Sequence, residues 1–200
     1  QAYGKSMVKA KKNSASSNKK LGVEDWLAAA FRALTRGGPG AIKAEAIARD
    51  LKVSKGSFYW HFADVPALKS QMLGHWEERA TQAIIVGVEE TGDTPQAKLT
   101  ALMSVSTSQL SDPYGGYLVE PAIRDWARYD KEATKTVKRV DTARIEYVER
   151  LFRSCKLTAT QSVRAAGLLY TSLVGAQILS QNKQIDPVRQ IHDMLDLLLS

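Results

Sequence analysis

Apolar residues recur every three to four positions over most of this chain, and nowhere do they alternate over a strand's length. A first amphipathic helix is predicted over about 23–36, with Trp26, Leu27, Ala30, Phe31 and Leu34 on one face. Gly37-Gly38-Pro39-Gly40 ends it. Two short helices follow, over about 43–50 and 54–60. Asp64, with Pro66 two residues on, caps a long helix to about Val88. Thr94 and Pro95 open another to about Leu110, and Ser111 to Gly116 breaks the pattern again. Further helices are predicted over 117–128, 131–154, 159–181 behind a Thr158 cap, and from Pro187 to the end. The fold class is all-α, with about nine helices and no internal repeat.

The two short helices form a distinct unit. Ile47 and Ala48 lie on the inner face of the first, and Leu51 and Val53 bracket its end. Phe58 and Phe62, four apart, can pack against them. A connection of about three residues suits a helix-turn-helix with a sharp crossing angle. With the inner positions taken, Ser54, Lys55, Gly56, Ser57, Tyr59, Trp60 and His61 remain to face outward. Hydroxyls, a cation and an imidazole at a helix start are what base edges and phosphates require of a recognition helix.

The run I-A-x-x-L-x-V-S-K-G-S-F-Y-W-H-F, behind a helix with an A-A-A-F core and ahead of a capped long helix, resembles the TetR family of one-component transcriptional regulators. The resemblance covers about residues 23–75 and implies a homodimeric, DNA-binding repressor with an effector-binding, dimerising C-terminal part. It implies that Ser54, Lys55, Gly56 and Ser57 approach bases or backbone, that Gly56 admits a close approach, and that Tyr59 and His61 reach phosphates. Trp60 is expected to cover a sugar or to pack on the following helix. Two positions depart from the family's habit. Lys43 and Ala44 stand where Ser or Thr commonly caps the second helix, so Lys43 can replace a phosphate contact but not the cap. Val65 stands where a Lys is frequent, with Lys69 one turn on.

Beyond residue 66 the chain is rich in aromatics and methionine, which suit a small, largely apolar effector; Trp76, Met103, Tyr117, Trp126 and Tyr147 are the candidate lining. Arg124 and Asp125 could orient a polar effector or form a solvated pair. Ala165–Leu179 carries no charge on any face and must be covered all round. Gly167 and Gly175, eight apart, predict a close helix approach there. With Ile191, Met194, Leu195, Leu197 and Leu198 of the last helix, this stretch is expected to build a dimer interface, which reading a palindromic operator also requires.

Charge sharpens this division. The formal net charge of +7 is concentrated at the start: residues 1–20 hold six lysines and no acid. Residues 21–62 hold six bases against four acids, and residues 63–200 hold 16 against 17. A basic tail over 1–20, expected to be disordered, a DNA-binding domain over 21–66 and an effector and dimerisation domain over 67–200 are the expected parts. One cysteine, Cys155, allows no internal disulfide or Cys-based zinc site. No apolar leader or membrane span is evident, so a cytoplasmic, nucleoid-associated bacterial protein is expected. No metalloprotease, phosphate-loop or nucleophile-elbow motif occurs, so neither enzyme activity, cofactor nor metal is expected. The competing reading is a ligand-independent structural or partner-binding protein that holds DNA through its basic tail.

Overall fold

The computed structural model describes residues 21–91, 94–108, 114, 116–180 and 185–200. The basic tail predicted over 1–20 lies outside them, and so does the side chain of Tyr117. Among the described residues there are nine α-helices and no strand: α1 (Val23–Gly37), α2 (Ala44–Asp50), α3 (Val65–Glu77), α4 (Ala83–Thr91), α5 (Pro95–Thr107), α6 (Val119–Ala127), α7 (Lys131–Ser154), α8 (Ala159–Ser180) and α9 (Pro187–Leu199).

Most ends follow from local chemistry. Asp64 accepts the Ala67 N–H at 2.7 Å, and Thr94 accepts that of Ala97 at 3.2 Å. Asp130 takes both Glu132 and Ala133 N–H groups at 2.9 Å, a cap outside the sequence-based expectations. Asp186 serves α9 in the same way. Each side chain satisfies donors that the first helical turn leaves open. Helix α2 has no such side-chain cap at Lys43, as its chemistry required.

Two elements differ from expectation. The third predicted helix, expected over 54–60, is a 3-10 turn over Lys55–Trp60 whose Ser57 and His61 N–H groups donate to carbonyls three residues back. Six residues with Gly56 among them are too few to propagate an α-helix. The long helix predicted from 64 to 88 is interrupted by a π turn over Glu78–Gln82 before continuing as α4. There Arg144 donates to the Ala80 carbonyl at 2.9 Å, a backbone acceptor turned from the helical ladder to a side chain.

Two buried clusters hold the molecule. The first joins α1, α2 and the 3-10 turn to α3, α6 and the start of α7, around Trp26, Phe31, Phe58, Met72 and Ile123. The second joins α5, the end of α7, α8 and α9 around Leu99, Phe152, Leu169 and Ile191. Helix α3 therefore begins in the first cluster beside the 3-10 turn and continues, through the π turn, into α4, whose Val88 joins the second cluster. No described helix is long and apolar enough to cross a membrane.

Candidate functional site

The helix-turn-helix unit is built from its anchor outward. Phe58 is fully buried, edge-on to Trp26 at 5.7 Å and tilted against Phe62 at 5.3 Å. Ile47 and Ala48 complete this floor, with Leu51 and Val53 half-buried at its rim. The turn between α2 and the 3-10 segment closes through Lys52, whose φ of 58° lies in the left-handed region. The Val53 N–H reaches the Ala48 carbonyl at 2.9 Å and the Lys52 N–H that of Arg49 at 3.1 Å, the paired bonds of a Schellman ending.

With Phe58 pinned inward, its neighbours must point out. Ser54, Lys55, Gly56, Tyr59 and Trp60 are exposed, and Ser57 and His61 half-buried. The Ser54 and Ser57 hydroxyls lie 3.2 Å apart and lock the start of the turn. A Cβ on Gly56 would meet only the Ser54 hydroxyl, at 3.7 Å, so the chain itself leaves room there. Lys55 pairs with Glu45 of α2, which holds the ammonium pKa above its usual value and the carboxyl below its own. Lys43 is exposed at the N-terminus of α2. His61 leans on Trp26 at 5.9 Å, so its ring is oriented by the core. Trp60 is 88% exposed and does not pack on α3, contrary to one expectation. Lys69 lies over the Trp126 ring at 5.6 Å.

A second candidate site is a cavity of about 310 Å³ between the π turn, α5, α7 and α8. Trp76, Met103 and Tyr147 line it, as expected, and Trp126 does not. Trp126 is buried in the first cluster instead, where Lys69 covers one face. The inner wall is charged, which the aromatic pattern did not announce. Arg144 donates to Glu120 at 2.9 Å and to the Thr81 hydroxyl at 3.1 Å, and Arg124 donates to the same Glu120 at 2.8 Å. Arg124 and the Tyr170 hydroxyl also both reach Asp141, at 2.6 Å. Burial works against the charge on Arg144, but Glu120 overrides it and holds the guanidinium firmly protonated. For Asp141 burial alone would raise the carboxyl, yet the Arg124 and Tyr170 hydrogen bonds hold it below the usual range. Burial pushes the Tyr170 hydroxyl up to about 12. Arg124 is thus a member of this buried network, while Asp125 is an exposed partner of Arg128. Spacing could have suggested Glu120 and Arg124, one turn apart, but not their meeting with Arg144 and Asp141.

At the other end of the cavity the Tyr114 hydroxyl donates to Glu24 of α1, and the Tyr114 ring stacks on His75 at 4.5 Å. Among the described residues no group of three or more His, Cys, Asp or Glu side chains could hold a metal ion.

The surface of α8 and α9 is only partly covered. Leu168 and Ile178 of α8 are exposed, and so is Leu197 of α9. Ile191 and Leu195, expected at an interface, are instead buried in the second cluster beside α5 and α8. A Cβ at Gly167 or Gly175 would meet nothing within 4 Å, so the close approach expected there is not made within one chain.

Residues 27–65 match the family described as "Bacterial regulatory proteins, tetR family". No curated protein sequence matches the chain. Solved structures of similar fold include a transcriptional regulator from Rhodococcus sp. Rha1, at TM-score 0.72 and 18% identity, over 90% of this chain and 94% of that one. A TetR transcriptional regulator from Legionella pneumophila is similar at TM-score 0.72 and 14% identity, over 90% and 97%. A TetR-family regulator from Agrobacterium tumefaciens follows at 0.71 and 17%, over 88% and 95%. At such identities the likeness is one of fold. The family match thus covers the helix-turn-helix, residues 27–65, and beyond it the chain shares the helical fold of these solved regulators.

Proposed function

We propose that this chain acts as a homodimeric repressor, released from a palindromic operator when a small effector fills the cavity beside the π turn. The observation that carries the reading is the outward array on a rigid anchor: Ser54, Lys55, Gly56, Tyr59 and Trp60 exposed around a fully buried Phe58. Residues 21–66 are the proposed DNA-binding domain and 67–200 the effector and dimerisation domain. Ser54 to Ser57 would meet base edges and backbone, while Lys43, Tyr59 and His61 would meet flanking phosphates and Trp60 a sugar face.

Two such units are needed to read half-sites about 34–36 Å apart. The uncovered apolar residues of α8 and α9, with open space over Gly167 and Gly175, support a two-fold contact through these helices. Continuity between cavity and reader supports the effector half: α3 starts five residues after Trp60 ends the reading turn, and its Trp76 lines the cavity. An effector would act only by its differential affinity for the DNA-competent and incompetent arrangements. The competing reading, a structural protein without a ligand, leaves a cavity with a charged inner wall unused.

Selection of bound DNA from a random pool tests the core of this proposal. A palindromic consensus is the expected result, and sequence-independent retention would overturn it. Light scattering at micromolar concentration should give a dimer; a monomer would contradict the two-fold contact.

A further inference from the structure

The polar side chains of the cavity are not equally available. Glu120 receives hydrogen bonds from both Arg124 and Arg144, so its carboxylate is committed. Arg144 is committed too: it donates to Glu120, the Thr81 hydroxyl, the Ala80 carbonyl and the Tyr170 hydroxyl. These groups form a neutralised inner wall.

Arg79 is different. It lies in the π turn, beside Ala80 and Thr81, and lines the same cavity. It is exposed, which sets it at the cavity's mouth while Arg144 closes the interior. Its guanidinium sits over the Tyr114 ring at 5.2 Å and has no carboxylate partner among the described residues. Glu24, the acid that Tyr114 touches, is taken up by the Tyr114 hydroxyl. The apolar part of the wall is formed by Trp76, Met103 and Leu169, which are buried, and Ile84 and Ile85, which are half-buried, while Thr107, Gln177 and Ser180 add neutral polar groups.

An uncommitted guanidinium on an aromatic ring, at the entrance of an apolar cavity, selects by charge. It offers two parallel N–H donors to a carboxylate and repels a cation. Among the described residues Glu120 is the one acid lining the wall, and its committed state leaves it unable to attract a cation. We infer that the effector is an amphipathic anion, with an apolar body among Trp76, Met103 and Leu169 and a carboxylate-type head held by Arg79. This rests on the proposed effector site and names its ligand class.

Calorimetric titration of the full chain with decanoate, decan-1-ol and decyltrimethylammonium is the test. Decanoate should bind about tenfold more tightly than the alcohol, and the cation least, since a charge-assisted hydrogen bond separates the first two. Arg79→Gln should remove that preference and leave the alcohol's affinity unchanged, with an unaltered unfolding temperature showing that the variant folds. Equal or tighter binding of the alcohol or the cation overturns the inference. So does an Arg79→Gln variant that still prefers decanoate, or failure of all three probes to bind. The same titrations on the complex with selected DNA keep the two proposals apart. Binding of decanoate without DNA release would count against effector-controlled repression alone; release by the cation only would count against the anionic ligand alone.

Discussion

Two ion pairs to glutamate, one from a lysine and one from an arginine, stand at the proposed DNA-binding surface and in the wall of the candidate cavity, and their surroundings are opposite. Lys55 and Glu45 meet on the outer face of the helix-turn-helix with both side chains about half exposed, at 49% and 60%. Arg144 and Glu120 meet at the inner wall of the cavity, at 16% and 11%. In water an ion pair gains little and exchanges partners cheaply. Away from water each charge depends on the other, so neither can be removed without leaving a buried charge alone. The exposed pair suits a cation that is to be handed to a phosphate. The buried pair fixes a wall and, through Ala80, the π turn.

The sharpest break of that contrast is Arg144→Met. It strands the Glu120 carboxylate between fewer donors and releases the Ala80 carbonyl. The loss should be about 3–5 kcal/mol of unfolding free energy, read from urea denaturation. A loss below about 1 kcal/mol would put this pair in the same class as a surface pair. Adding Glu120→Leu to it should restore part of the loss, because a neutral wall no longer needs a counter-charge.

Asp141 extends the buried end and adds a pH signature. Its native carboxyl is held below the unfolded value of 3.8, so its contribution is complete above that pH. It is lost as pH falls through the lower native value, where the proton displaces the Arg124 contact. Asp141→Asn should therefore cost about 1–2 kcal/mol at neutral pH, allowing for partial solvent exposure. The gap between variant and parent should close in the acid below pH 3.8, as thermal melts across pH would read it. A gap independent of pH would assign the loss to packing instead.

The two ends also differed in how far sequence revealed them. The reading unit is local: Ile47, Ala48, Phe58 and Phe62 lie within sixteen residues, and their spacing alone gave the buried floor. Once those four point inward, the outward set from Ser54 to His61 follows. What the spacing hid was helix type, since a six-residue segment holding Gly56 takes the tighter 3-10 winding. The cavity is not local. Its inner wall joins Thr81, Glu120, Arg144 and Tyr170 from four separate elements, and no periodicity relates such positions. Trp126 shows the same limit from the other side. An aromatic at helical spacing fits a core as well as a pocket, and only the crossing of α6 over α1 decided for the core.

At the exposed end, Lys55→Ala should leave the unfolding midpoint unchanged, since its pair is solvent-screened. Its effect belongs to DNA. Loss of one phosphate contact per subunit should weaken binding to selected DNA by about fivefold and lower the salt slope by about one per contact. Equal affinity at matched salt in an anisotropy titration would remove Lys55 from the interface.

The smallest effect is also the most discriminating, because its sign is opposite. Glu45 holds Lys55 within the chain and adds a negative charge next to the proposed phosphate-contacting surface. To reach DNA, Lys55 must give up that carboxylate, and Glu45 must be moved away from the polyanion or neutralised. Glu45→Gln keeps the side chain's size, leaves Lys55 unpaired and removes the repulsion. DNA affinity should rise by about two- to threefold at low salt, and the gain should fade as added salt screens both charges. Combined with Lys55→Ala, only the repulsive part of the gain should persist, which isolates the hand-over of the cation from simple charge removal. A weaker complex with Glu45→Gln would mean that the pair positions Lys55 for DNA and does not compete with it.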